Sequence, residues 1–248
     1  MKHWIFFFFL CVAFPLVAQD AAIKEAEVAY TKGDYKTAID LYEGLLESRG
    51  ESAAVYYNLG NAYYKDGQIA PAILNYERAL LMNPADGDIR FNLQMAKQRS
   101  VDNIEPIGEF FLLKWFHSMQ NWASADRWGK IGIACFLLCL VCLSLFFFSR
   151  RRRFKQIGFY SAVVLIVLVV VTNIFASNQA EEQTNRTEAI VFSPTVTVKS
   201  SPDNSGTDLF VIHEGTKVSV KSTLGDWSEI SLEDGNVGWM PSKDIVAI

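Results

Sequence analysis

Three patterns of apolar and polar positions follow one another along this chain, and each predicts a different kind of element. Ile5–Val17, Ile131–Phe148 and Ile157–Ala176 are almost unbroken apolar blocks. Residues 20–100 instead place apolar side chains every three or four positions, the period of helices that bury one face. From Ala189 onward the apolar runs are short and separated by Asp203-Asn204-Ser205-Gly206, Glu214-Gly215, Gly225-Asp226 and Asp234-Gly235, the pattern of strands joined by turns. Soluble modules around membrane spans fit this unevenness, and a single globular core does not.

The opening reads Met-Lys-His, an apolar stretch from Trp4 to Val17, then Ala18 before Gln19-Asp20. A basic start, a short apolar region broken by Pro15 and a small residue at the exit are the marks of a secretory signal peptide, residues 1–18, cleaved after Ala18. An uncleaved anchor would leave the next domain on the same side.

Within residues 20–100, Tyr56, Leu59-Gly60, Tyr63, Gly67, Ala72, Tyr76, Ala79 and Pro84 fall at the spacings of W-x-x-L-G-x-x-Y…A-x-x-x-F…P. Thirty-four residues earlier, Ala26, Gly33, Ala38 and Tyr42 face Gly60, Gly67, Ala72 and Tyr76. The stretch resembles the tetratricopeptide (TPR) repeat, with units at about 20–52 and 53–86 and a capping helix continued by Ile89, Leu93 and Ala96. Small residues let paired helices approach, and Gly33 and Gly67 permit the tight turns between them. About three units normally bury a continuous core, so a partner or the membrane is expected to complete this short array.

Such arrays bind through the concave face lined by the first helix of each unit. The register places Tyr30, Tyr57, Asn58, Asn61, Tyr64, Lys65, Phe91 and Asn92 there as candidate contacts for proteins or peptides. Packing of Tyr57 and Tyr64 between helices is the competing reading. The carboxylate clamp of chaperone-binding relatives is not expected: its positions hold Ile23, Glu27, Asn58, Asp88 and Asn92, and the two acids would repel a carboxylate.

Residues 101–130 mix Phe110, Phe111, Leu112, Trp115, Phe116, Trp122 and Trp128 with Lys114, His117 and Arg127, as expected of a juxtamembrane segment in the headgroup layer. Spans are predicted at 131–149 and 157–176, each long enough to cross a bilayer. The loop between them, 150–156, carries Arg150–Arg153 and Lys155 with no acid. Positive charge stays on the cytoplasmic side, so the flanking modules are expected outside it. The signal peptide independently predicts the same side for the first.

A polar linker is expected at 177–188, followed by an all-β module at 189–248 with strands Ala189–Phe192, Val196–Lys199, Leu209–Ile212, Lys217–Ser222, Trp227–Leu232 and Val237–Met240. Val198-Lys-Ser-Ser-Pro202, Glu214-Gly-Thr-Lys-Val218, Gly225-Asp-Trp227 and Asp234-Gly-Asn-Val-Gly-Trp239 resemble a bacterial SH3-type barrel. Trp227 and Trp239 are its candidate ligand surface, with core packing the equal alternative.

Charge and cysteine usage remove several function classes. Residues 20–103 carry 13 acidic and 9 basic side chains and residues 177–248 carry 11 and 5, so neither module offers the basic stripe that nucleic acid requires. The four cysteines, Cys11, Cys135, Cys139 and Cys142, all lie in apolar blocks, which leaves the soluble modules without a disulfide framework or a cysteine zinc site. Cys135, Cys139 and Cys142 share one face of the first span; helix packing is the expected role, a thiol relay the alternative. The sequence presents no phosphate loop and no metal-ligand spacing, so no catalytic residue, metal or cofactor is predicted.

The whole arrangement resembles the TPR-containing member of the Bat aerotolerance proteins of Bacteroidetes, through Ile104-Glu-Pro106, the Arg150–Arg153 turn and the Ala189–Val198 to Gly238-Trp239 module. That resemblance implies a membrane complex with von Willebrand A-domain proteins and a MoxR-type ATPase. The expectation is a multidomain protein of a bacterial cytoplasmic membrane: an all-α TPR region, two transmembrane helices and an SH3-like barrel. A non-enzymatic adaptor is expected, with both modules periplasmic. A cell-envelope anchor or sensor, and a membrane thiol redox component, are the other classes.

Overall fold

The computed structural model describes residues 22–104, 107–108 and 110–248. The predicted signal peptide lies outside the described residues, as do Glu105 and Pro106. The chain divides into two compact units, one holding the helical repeats and the C-terminal sheet, the other the long apolar helices.

In the first unit, α1 covers 22–31, followed by α2 Tyr35–Arg49, α3 Ala53–Asp66, α4 Ile69–Met82 and α5 Gly87–Lys97. The turns after α1 and α3 pass through Gly33 (φ 81°) and Gly67 (φ 87°). Side chains with a Cβ are disfavoured there, and equivalent glycines therefore end the first helix of both pairs. The Asp34 carboxylate starts α2 by accepting from Thr37 N–H (3.2 Å), and Asp86 starts α5 by accepting from Asp88 and Ile89 N–H (3.0 and 3.2 Å). Ala26, Ala38, Tyr42, Leu45, Leu59 and Ala62 pack into one core. Gly60 lies flat under the Tyr76 ring: a Cβ there would stand 2.8 Å from two ring carbons. The small residue is thus what lets α3 and α4 close on each other.

The C-terminal part is a seven-stranded antiparallel sheet: β1 Glu188–Val191, β2 Thr195–Lys199, β3 Asp208–His213, β4 Lys217–Leu224, β5 Trp227–Ser231, β6 Val237–Pro241 and β7 Ile245–Ala247. Its order is β3-β2-β6-β5-β4-β1-β7. Ala189, Val191, Val196, Val198, Ile212, Val218, Ile230 and Met240 form its core. These come from β1 to β6, so the sheet curls round a single interior, as in an SH3-like barrel. β7 extends the ladder on β1, with Ile190 opposite Val246.

The open end of the helical array is covered by this barrel. Strand alternation puts Ile190 on the face opposite the barrel core, yet it is 0% exposed, and its neighbour in the ladder is Lys217. On that face Lys217 Nζ reaches Glu77 of α4 (3.1 Å) and Arg78 Nη2 donates to the Ala247 carbonyl (2.6 Å). Ile73 of α4 meets the β3–β4 turn, where a Cβ on Gly215 would lie 3.0 Å from its Cδ1. The array that needed completing is therefore completed from within the chain, where an external partner or the membrane was expected.

The second unit contains α6 Phe111–Gln120, α7 Ala125–Phe148 and α8 Arg152–Thr184. The last two are long and apolar enough to cross a membrane. Helix α8 runs through most of the segment expected to be a polar linker, and begins at Arg152 within the expected loop. Close approach is set by small residues: a Cβ on Gly158 would sit 2.7 Å from the Cys142 carbonyl and 2.9 Å from Phe146 N. Cys139 is buried against the Ala162 carbonyl, with its Sγ 3.7 Å away, the packing role of a small apolar residue. Gln179 is buried and fastens the α6–α7 turn, its Nε2 donating to the Gln120 and Ala123 carbonyls (2.8 and 2.9 Å). Trp128 Nε1 donates to the same Gln120 carbonyl (2.8 Å). Phe111, Leu112, Leu113 and Trp115 of α6 stay exposed, unlike a helix in a soluble core.

Candidate functional site

The candidate groove is built on α3 and α5, where polar side chains at helical spacing meet across the interhelix gap. Asn61 is the hub. Its Oδ1 accepts from Tyr76 Oη (2.7 Å) and from Asn92 Nδ2 (2.8 Å), while Asn92 Nδ2 also donates to Tyr57 Oη (3.0 Å). Burial, and then the nearby Tyr57, Tyr30 and Tyr64, push the Tyr76 phenol well above its usual range. It therefore remains a donor across the physiological range. Tyr57 also sits against Tyr76, with ring centroids 6.1 Å apart.

The predicted residues thus divide by environment. Tyr57, Asn61 and Asn92 are half-buried members of one network, and Asn58 is half-buried beside them. Tyr64 is covered on one face by the Arg99 guanidinium, 4.7 Å from its ring centroid, a cation–π contact. Tyr30 is half-buried and stands edge-on to Tyr35, ring centroids 5.5 Å apart. Lys65 is exposed, and Phe91 is 62% exposed. One turn further along α5, Met95 is exposed as well, four residues after Phe91 and so on the same helix face, and Arg99 follows just past the end of α5. Sequence reasoning missed Met95 and Arg99; extending the step from Phe91 would have found both.

The two tryptophans of the barrel share a face. Ser228, Ile230, Gly238 and Met240 are buried, so alternation turns Trp227 and Trp239 away from the core cluster. Trp239 stands opposite Glu229 and Trp227 opposite Pro241, which makes the tryptophans diagonal neighbours across β5 and β6. Both are half-buried on the outer surface.

The charged centre of the unit lies elsewhere, at the junction of repeats and barrel. Glu77 is 7% exposed, with Lys97 Nζ 2.7 Å from one carboxylate oxygen and Lys217 Nζ 3.1 Å from the other. Lys217 also pairs with Glu188 at 2.7 Å. Burial alone would raise the Glu77 pKa; the charges of Lys217 and Lys97 outweigh it and hold the carboxyl below its usual range. Burial would likewise lower the Lys217 ammonium, and Glu77 and Glu188 outweigh it and raise it. Sequence reading missed this network. Its signal was an acid four residues after Ile73, in the middle of a buried helix face, where a carboxylate demands a cation.

Three segments match known families. Residues 53–86 match the Tetratricopeptide repeat, residues 26–67 the TPR repeat, and residues 194–246 the Bacterial SH3 domain. No curated protein matches the sequence. The chain carries TPR repeats and a bacterial SH3 domain, both modules that point to protein–protein interaction.

Proposed function

We propose that this chain is a non-enzymatic adaptor, anchored in a bacterial cytoplasmic membrane by α7 and α8, which binds partner proteins through the concave face of its TPR repeats. The observation that carries the reading is that Phe91 and Met95 stand exposed on α5 while Arg99, just past the end of that helix, covers Tyr64 of α3. Together they offer an apolar anchor point next to cations, on helices held rigid by the Asn61 network. Aromatic and Arg-lined pockets of this kind dominate protein recognition. The ligand it suits is a peptide with an apolar side chain and a nearby acidic group.

The Arg150–Arg153 turn between the two spans supports a cytoplasmic loop, with the repeats and barrel in the periplasm. The apolar, exposed face of α6 supports its contact with bilayer lipid at the interface. Resemblance to Bat proteins supports placement in a Bat-type complex linked to oxidative stress or aerotolerance, with von Willebrand A-domain proteins and a MoxR-type ATPase as partners. The outward-facing Trp227 and Trp239 favour a second role for the barrel, as an anchor on wall peptide.

The test is Tyr64→Ala combined with Phe91→Ala. Loss of two such anchors lowers affinity by about 2 kcal/mol, roughly thirtyfold. Partner recovery should fall while helical melting stays nearly unchanged. Unaltered recovery would reject the groove.

A further inference from the structure

The chain leaving α5 lies on the barrel, and its contacts are those of a bound peptide. The Asp102 carboxylate is fully engaged: Oδ2 accepts from the His213 backbone N–H (2.7 Å) and from Thr216 Oγ1 (2.7 Å), and Oδ1 is 2.8 Å from His213 Nδ1. Ser100 Oγ donates to the Glu214 carbonyl at 3.1 Å. Ile104 packs against the barrel core, while Val101 and Asn103 are exposed. Alternate residues therefore face the barrel, as in an extended peptide laid on a surface.

The receiving polar groups are His213 at the end of β3 and Glu214 and Thr216 in the turn that follows it. That turn is fixed from behind, with Gly215 N–H donating to the Val191 carbonyl (2.8 Å) and Val191 N–H to the Thr216 carbonyl (2.9 Å). Three donors converge on two carboxylate oxygens, an arrangement suited to an anion and ill suited to an amide, whose NH₂ would face a donor. Burial acts to raise the Asp102 pKa, but the bonds from Thr216 and His213 hold it below the usual range. Beside the segment opens a cleft of about 270 Å³, lined in part by Gln94, Lys97, Gln98, Asn103, Lys217 and Glu233. One flank of the segment thus has room for a different occupant.

We propose that the His213–Thr216 turn, with the adjoining edge of the barrel core, is a peptide-binding site for an extended segment carrying aspartate and, two positions later, an aliphatic residue. The chain's own Ser100–Ile104 fills it in cis. This site is separate from the TPR groove and does not depend on that reading. A partner with the same Asp-x-aliphatic chemistry competes with the tethered segment, whose effective concentration is on the order of millimolar. The resting protein therefore excludes weak ligands and admits one only when the segment is displaced.

The experiment uses the full chain in detergent micelles and a fluorescein-labelled peptide of residues 98–104, read by anisotropy. Asp102→Ala with Ile104→Ala empties the site, and this variant should bind the peptide at least about tenfold more tightly than the wild type. A peptide carrying Asp102→Asn should lose about tenfold of that affinity. In the variant the His213 amide should exchange faster with solvent, and added peptide should restore its protection. Should the double variant lose the cooperative melt of the barrel, Asp102→Asn, which keeps the side-chain shape, replaces it in the same comparison. Equal binding by variant and wild type, no binding by a folded variant, full affinity of the Asn peptide, or an unprotected His213 amide would each overturn the proposal.

Discussion

Replacing Lys217 with Met removes one of two cations from a carboxylate that cannot reach water. Glu77 is 7% exposed and Lys217 18% exposed, with 3.1 Å between them, and Lys97 remains at 2.7 Å on the other oxygen. Stripping a buried ion of its partner typically costs about 3–5 kcal/mol. Because Lys97 still compensates Glu77, and the Lys217–Glu188 pair is partly exposed and worth little, we expect a cost below that range, about 2–3 kcal/mol. For a unit of this size that is a fall in Tm of roughly 5–10 °C. The assay is thermal unfolding of the full chain in detergent, followed by helical signal and by tryptophan fluorescence. Both signals should shift together, since the pair joins α4 to β4. Glu77→Gln alone should be costly too, while the double variant should cost less than the sum of the singles by about 1.5 kcal/mol or more.

The pH dependence has a fixed sign. A carboxylate with a folded pKa below its unfolded value contributes stability that is complete above the unfolded pKa, about 4.3 for Glu, and is lost as pH falls through the folded one. Glu77 and Asp102 both shift downward, so the wild-type junction should weaken on acidification below about pH 4.5. Lys217→Met should shrink that acid dependence. Helical and tryptophan signals that melt separately, with only one moved by Lys217→Met, would refute a joint unit.

Gly60→Ala places a methyl 2.8 Å from the Tyr76 ring; it should destabilise the repeats by about 1–3 kcal/mol in denaturant titration, despite the better helix propensity of Ala. A cysteine at Ser205, in a background lacking the native thiols, should react with an impermeant maleimide in intact spheroplasts, and one at Gln156 should not; the reverse pattern would invert the proposed orientation.

Much of the fold could be read from the sequence because its cues are local. Tyr56, Leu59, Gly60 and Tyr76 report a helix pair by spacing alone, and Gly33 and Gly67 mark its turns by their backbone requirement. Strands β1 to β6 start within a residue of their predicted positions, because Glu214-Gly215, Gly225-Asp226 and Asp234-Gly235 punctuate the chain. Strand β7 escaped notice: its three residues, Ile245–Ala247, are too few to show a period. The junction escaped for a deeper reason. Periodicity says which face of an element is buried, not what buries it, so nothing around Ile73 or Ile190 in the sequence points to the junction. For the groove, register alone gathered Tyr57, Asn61 and Asn92 on one face. That they bond to one another, leaving Phe91 and the unpredicted Met95 and Arg99 as the more accessible surface, depended on geometry that spacing does not carry.

The adaptor reading meets its most direct test in site-specific photo-crosslinking in intact membranes. A benzophenone side chain at Phe91, on the exposed stripe of α5, is compared with one at Asp40, exposed on α2. The account predicts a discrete adduct with a membrane protein from Phe91, none from Asp40, and loss of the Phe91 adduct when Tyr64→Ala is added. Equal adducts from both positions, or a Phe91 adduct indifferent to Tyr64, would contradict it.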